Sequence, residues 1–307
     1  MLTQDFHSGF VSLVARPNAG KSTLTNAVVG DKVAITSEVA QTTRHNITAI
    51  LTRDDFQLVL QDTPGLHKPK DNLGQRLNDS ALQALIDGDM AAFLLDATAA
   101  FGRGDEWVLR HLLASGKPWI AVLTKCALPQ AAPVKVAEAL NTCLGGLSAK
   151  AQAPLRIIKT SALEGEGVEE FIQICAAQLP LGPLWYPADA KTGQNLETQV
   201  AELVREQALR ATFDELPHAI GVALDGIGFD KRKQLYRIYV NLYVERKSQK
   251  GLLIGRGGAK LKQIGSAARL QLEQLLKAKV YLELQVKLRK NWRRDLNQIK
   301  RFGYGTV

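Results

Sequence analysis

The run Phe10 to Leu24, FVSLVARPNAGKSTL, restricts the possible folds more than any other stretch of the chain. An apolar strand (Phe10, Val11, Leu13, Val14) breaks into a loop carrying Pro17, Asn18 and Gly20, and a helix then runs to about Val29. Strand, loop and helix in that order, with Gly-Lys-Ser closing the loop, form a concave phosphate site. Backbone N–H groups and the positive end of the helix dipole supply the attraction. In such a loop Lys21 reaches the outer phosphates and the Ser22 hydroxyl ligates magnesium, while Ala15, Arg16, Ala19 and Thr23 complete the wall. The pattern asks for Gly at its first position, where this chain has Ala15, and the change costs something only if that residue needs a positive φ.

Charge adds a second constraint because it is unevenly placed. From Met1 to Phe229, 19 Lys and Arg stand against 25 Asp and Glu, a net of −6; from Asp230 to Val307, 20 stand against 5, a net of +15. A short segment that basic is the electrostatic footprint of a polyanionic partner. At 307 residues the chain exceeds one ordinary core, so two domains are expected. No apolar run approaches the roughly 18 to 20 residues that cross a bilayer. Met1 to Gly9 lacks a basic-then-apolar leader pattern, and the expected location is the cytosol. Cys126, Cys143 and Cys175 show no CxxC spacing, which argues against a disulfide or structural metal framework.

After the first helix, Asp31 to Thr43 has little periodicity and ends in Gln41, Thr42, Thr43, Arg44. A loop threonine here can close over a third phosphate and complete a magnesium shell, and Thr43 is the candidate. Asn46 to Arg53 and Phe56 to Gln61 read as two strands joined at Asp54 and Asp55. The second ends in Asp62, Thr63, Pro64, Gly65, which places a carboxylate to hold magnesium and a glycine N–H to sense the γ-phosphate. Leu66 follows where some GTPases carry a water-orienting Gln; a Leu cannot polarise water. Lys68 to Gly88 contains an amphipathic helix with Leu77, Leu82, Leu85 and Ile86 as its apolar residues. Strands follow at Met90 to Leu95, Trp119 to Thr124 and Leu155 to Thr160, with helices at Glu106 to Ala114 and Val134 to Leu144. The expected class is α/β: a P-loop domain with a mainly parallel sheet, helices on both faces and ligands at the strands' carboxyl ends.

Taken in order, ARPNAGKST, QTTRH, DTPGLH, a late TSAL and the basic tail make the chain similar end to end to the Era family of ribosome-assembly GTPases. The resemblance implies Lys21 and Ser22 on phosphate and Mg2+, Thr43 in the first switch, and Asp62 with Gly65 in the second. Lys21, Thr43 and Gly65 are the residues it puts nearest the catalysed step. It also implies that Asn18 ligates K+ in place of an arginine finger, as in relatives that lack the Gln. One motif departs: the family's Asn-Lys-x-Asp is here Thr124, Lys125, Cys126, Ala127. In the family the Asp accepts two hydrogen bonds from guanine and the Asn ties this loop to the phosphate loop; Ala127 can do neither. The Lys125 stem can still cover a base, and Ser161 and Ala162 can offer N–H groups to a purine oxygen. Phosphate binding is expected to survive better than base selection.

Residues 179 to 192, rich in Pro and Gly, read as a linker. The expected layout is a GTPase domain over 1–180, a linker over 181–195 and an α+β RNA-binding domain over 196–307. Asn195 caps a helix from Leu196 to about Thr212, with Leu196, Val200, Leu203, Val204 and Leu209 on its apolar face. Strands follow over His218 to Gly226 and Leu235 to Arg246, then Gly255-Arg256-Gly257-Gly258 opens a helix, and a strand runs over Lys279 to Leu288. Glycines let a nucleic-acid backbone approach while Arg256, Lys260 and Lys262 supply charge. This arrangement resembles the GxxG loop of a type II KH domain, in the order helix, strand, strand, GxxG, helix, strand. Asn291 to Arg301 reads as a final basic helix that either clamps RNA or solvates the domain's end.

The resemblance therefore implies a monomeric GTPase that binds GTP and GDP, small-subunit ribosomal RNA and the small ribosomal subunit, with peripheral contact at the inner face of the cell membrane. The alternative is an RNA-binding scaffold whose degenerate nucleotide domain hydrolyses GTP weakly or not at all.

Overall fold

The computed structural model describes residues 5–37, 39, 42–147, 152–214 and 216–305; Gln41 of the QTTRH run lies outside them. Its first half is a six-stranded sheet of order β2-β3-β1-β4-β5-β6, formed by β1 (His7–Val14), β2 (Ile47–Thr52), β3 (Phe56–Asp62), β4 (Met90–Asp96), β5 (Trp119–Thr124) and β6 (Ile157–Lys159). All neighbours are parallel except β2, which pairs antiparallel with β3 as the short turn between them requires. The strands read as unbroken apolar runs because both faces are covered. Met90, Ala92 and Leu94 join Val11, Leu13, Ile120 and Val122 in one core, while Ala91, Phe93 and Leu95 join Val14, Trp119 and Leu123 in another.

Helices α1 (Lys21–Val29) and α5 (Val168–Ala176) cover the first of these faces, and α2 (Asn72–Asp87), α3 (Arg103–Ala114) and α4 (Pro133–Leu147) the second. Emptying either core at Leu13 or Phe93 would cost about 2–5 kcal/mol. The apolar face of α2 differs from its sequence reading: Leu73, Leu77, Ala81 and Leu85 are buried, but Ile86 is exposed. The segment after residue 180 does not hang free. The buried Gln57 side chain accepts from the Trp185 and Tyr186 amides and donates to the Tyr186 carbonyl, and Ser8 Oγ donates to Pro183 O at 2.6 Å.

The second half is a three-stranded sheet of order β7-β8-β9: β7 (Gly221–Asp230) antiparallel to β8 (Leu235–Val244), and β8 parallel to β9 (Lys279–Leu288). Helices α6 (Leu196–Arg210) and α9 (Ala259–Leu276) pack Val200, Val204, Ala208, Ile264, Ala268 and Leu272 on one face of it. Three sequence expectations change here. His218 and Ala219 belong to a short helix, α7 (Leu216–Ala219), and the strand starts only at Gly221. The GxxG loop does not follow a strand: helix α8 (Lys247–Ile254) precedes it, so the loop joins two helices. The tail is not one basic helix on the surface. A single turn at Trp292–Arg294 leads into α10 (Leu296–Arg301), and Trp292, Ile299, Phe302 and Tyr304 are buried with Tyr243 of β8 and with Leu73 and Leu77 of α2. The tail thus carries a small aromatic core that joins the two halves. Among the described residues no helix is long and apolar enough to cross a membrane.

Candidate nucleotide site and RNA-binding loop

The phosphate loop lies between β1 and α1 at the sheet's carboxyl edge, with Asn18 (φ 66°) and Gly20 (φ 89°) in the left-handed region that turns the chain toward the helix. Ala15 is fully buried and is absent from the positive-φ residues, so the missing first glycine carries no backbone strain. Arg16 Nε pairs with Asp105 Oδ1 at 2.7 Å, and Asp105 also accepts from the Gly102 amide at the start of α3. Thr63 Oγ1 donates to Leu13 O at 2.7 Å, fixing the end of β3 to β1. Gly65 is closely packed: a Cβ there would stand 2.6 Å from the Cα and N of Pro17. The Leu66 amide donates to Ala15 O at 2.9 Å and its side chain is buried in the core.

Three oxygens from three separate segments meet beside Lys21. Ser22 Oγ donates to Asp62 Oδ2 at 2.5 Å and lies 3.0 Å from Thr43 Oγ1. The other Asp62 oxygen, Oδ1, is buried without a hydrogen-bond partner among the described residues. A carboxylate with an unsatisfied buried oxygen beside two hydroxyls is a hard oxygen donor set that suits Mg2+. Burial pushes the Asp62 carboxyl up to about 6, against the opposing pull of Lys21 and the Ser22 hydrogen bond. Burial also lowers the Lys21 ammonium, with Asp62 as the opposing charge. Both groups are thus under-solvated, and a phosphate and a cation would relieve them.

The base loop keeps its architecture without its acid. Thr124 Oγ1 donates to Ala19 O at 2.8 Å, so the tie to the phosphate loop, which the loss of the motif's Asn put in doubt, is made by a hydroxyl. Lys125, at φ 60°, donates to Asp96 Oδ2 at 2.6 Å. Burial opposes the charge of Asp96, but the bonds from Lys125 and Thr98 outweigh it and lower the pKa. The Cys126 amide donates to Thr160 O at 3.1 Å, setting this loop against the one after β6. There the Ser161 amide, one of the two expected to serve a purine oxygen, is already given to Glu166 O at 2.9 Å. Ala127 is exposed and brings no acceptor.

On the second half, Gly255 (φ 75°), Gly257 (φ 57°) and Gly258 (φ 81°) all hold positive φ between α8 and α9. Arg256 and Lys262 are exposed there and Lys260 is half-buried, its Cβ filling the space that a side chain at Gly255 would need. Sequence reasoning missed a third set, the contacts between the halves. Arg44 Nη1 donates to Ile220 O at 2.6 Å and Nη2 to His218 O at 3.1 Å, and its guanidinium lies over Trp292 and Tyr304. Burial lowers Arg44 to about 10, which leaves it charged at neutral pH. The Q-T-T-R-H run signalled this segment's importance, but not that its arginine would be buried.

Comparison with known proteins agrees with this geometry. The family model described as a 50S ribosome-binding GTPase matches residues 10–125, and a KH domain model matches 215–293. GTPase Era of Mycobacterium tuberculosis (strain H37Rv) is 45% identical over 301 residues, covering 98% of this chain and 99% of that protein. The chain belongs to the Era family. A variant of Aquifex aeolicus Era bound to GDP and AlF4− superposes with a TM-score of 0.90 at 33% identity, covering 97% of this chain and 99% of that one. Era in complex with MgGDPNP and nucleotides 1506–1542 of 16S ribosomal RNA gives a TM-score of 0.89 at 33% identity and the same coverage. The Era-family fold, a P-loop GTPase domain followed by a KH domain, therefore spans the chain.

Proposed function

We propose that this Era-family chain hydrolyses GTP and binds small-subunit ribosomal RNA through its KH domain, nucleotide state governing the engagement. The observation that carries the reading is the convergence of Ser22, Thr43 and Asp62 beside Lys21, in one chain with a basic GxxG loop. Amides of the phosphate loop and the Lys21 ammonium bind and orient the triphosphate. Ser22, Thr43 and Asp62 would hold Mg2+, which would supply charge neutralisation for the triphosphate. Gly65, pressed against Pro17, brings its N–H to the γ-phosphate. With Leu66 buried, no side chain at that position orients water, and a K+ ion held by Asn18 is the proposed source of the missing positive charge. On the KH side, Arg256, Lys260 and Lys262 neutralise the RNA backbone at the glycine loop.

A second reading is favoured by Ala127. The nucleotide domain would then bind phosphate with little base preference and act as a scaffold for the RNA-binding half. Phosphate release from GTP in K+ against Na+, with and without a 16S-type RNA 3′ fragment, separates the two. Hydrolysis stimulated by K+ supports the GTPase. Absence of turnover under every condition, with RNA still retained, leaves the scaffold.

A further inference from the structure

Thr43 is the one metal-site residue that comes from a loop with no secondary structure, and both its neighbours are held by the other domain. On one side, Arg205 Nη2 of α6 donates to the Thr42 carbonyl. Arg205 is itself fully buried and fixed by Glu202, which accepts from its Nε at 2.8 Å and its Nη2 at 2.7 Å. On the other side, Arg44 is held by the Ile220 and His218 carbonyls and by the Trp292 and Tyr304 rings. Upstream, Glu206 of the same helix accepts from the Thr36 amide at 3.2 Å and pairs with Lys32. Consecutive Cα atoms are about 3.8 Å apart, so fixing residues 42 and 44 leaves Thr43 little freedom.

Helix α6 therefore does more than pack on its own sheet. One side of it carries Val200, Val204 and Ala208 to the KH core, while Glu202, Arg205 and Glu206, all buried, face the first switch. Desolvating a buried Arg–Glu pair is costly, and here that pair is placed on the backbone carbonyl next to Thr43.

We propose that Arg205, a residue of the KH domain, is a positioning residue for Thr43 in the GTPase domain. The metal site at Ser22 and Asp62 is completed only when the two domains stand in this arrangement. By linkage, whatever moves α6 changes how well a triphosphate is held, and a bound triphosphate resists that movement to the same extent. This rests on the GTPase reading above, and the test separates the two.

The test uses the full-length chain with Glu202→Gln and Arg205→Gln combined, which removes both members of the buried pair and leaves the net charge of the interface unchanged. Circular dichroism and RNA retention check that both domains remain folded, and the milder Arg205→Lys replaces the pair should it unfold. Hydrogen exchange across residues 42–45 in the nucleotide-free chain is expected to speed up by about tenfold. The Mg2+ concentration for half-maximal GTP binding should rise by a similar factor, with GDP affinity moved less than about twofold. Unchanged exchange overturns the proposal, and so does faster exchange with GTP and GDP affinities weakened equally, which marks a merely structural contact. If the wild-type chain never turns over GTP, the GTPase reading fails, and the exchange and Mg2+ arms still decide the role of Arg205.

Discussion

Thr124 Oγ1 donates to the Ala19 carbonyl at 2.8 Å, binding the base loop to the phosphate loop across a long stretch of sequence. The base loop is therefore held in place and lacks only an acceptor at Ala127 for the guanine edge. Hydrogen bonds to a charged group contribute about 1.5–3 kcal/mol each. Ala127→Asp should therefore raise GDP affinity by about 10²- to 10⁴-fold and leave ADP affinity nearly unchanged, as isothermal titration would show. An equal gain for both nucleotides would mean that the loop was misplaced and not merely short of an acid.

Asp62 gives a pH signature. Its folded pKa of about 6 lies above the ordinary carboxylate value, so between those values the native state holds a proton that the unfolded chain has released. Its contribution to stability is thus present at low pH and lost as pH rises through about 6. Two units correspond to about 3 kcal/mol. In metal-free buffer Asp62→Asn should gain stability over the wild type as pH rises from 4 to 7, approaching that figure in urea titrations. In the same variant, Mg2+ should no longer tighten GTP binding. A stability difference independent of pH would count against the buried carboxylate described here.

Much of the nucleotide site could be read directly because its residues lie in short contiguous runs at strand ends, where local pattern and chemistry coincide. Lys21, Ser22, Asp62 and Gly65 are of this kind. The contacts that position Thr43 are not, since Arg44, Glu202 and Arg205 look in sequence like ordinary solvated charges but are buried where the two halves meet. The same holds for Trp292 and Tyr304, whose partners Leu73 and Leu77 lie on α2. Helix α8 escapes a sequence reading because its apolar residues, Leu252, Leu253 and Ile254, are consecutive at its end and show no helical spacing. The lost strand start at His218 has a local cause: Pro217 suits the first turn of a helix and cannot donate to a sheet ladder.

Gly65 tests close approach. Gly65→Ala would force a Cβ to within 2.6 Å of the Pro17 backbone, and one of the two loops must yield. GTP affinity and turnover should fall by about tenfold or more, with GDP affinity much less affected, because on the proposed reading the displaced N–H serves the third phosphate alone. Stopped-flow measurements with fluorescent GDP and a GTP analogue resolve the difference, and equal losses for both would argue against a γ-phosphate contact.

At the KH loop, Gly257 is exposed at φ 57°, and a Cβ added to it would meet no other atom within 4 Å. Combining Arg256→Asp with Gly257→Asp should therefore cost only about 1–2 kcal/mol of backbone strain while placing negative charge where RNA backbone would lie. RNA affinity should drop at least about 10²-fold in filter retention with the melting curve little changed. Unaltered RNA binding would move the interface elsewhere on the basic half.

The most direct measurement is a calorimetric titration of the full-length chain with GTP, GDP and ATP, with and without Mg2+. Binding that requires the Lys21 pocket, tightens with Mg2+ for triphosphates and prefers guanine by less than about 10²-fold is the expected result. No heat with any nucleotide, or affinity unchanged in Lys21→Ala, would contradict it.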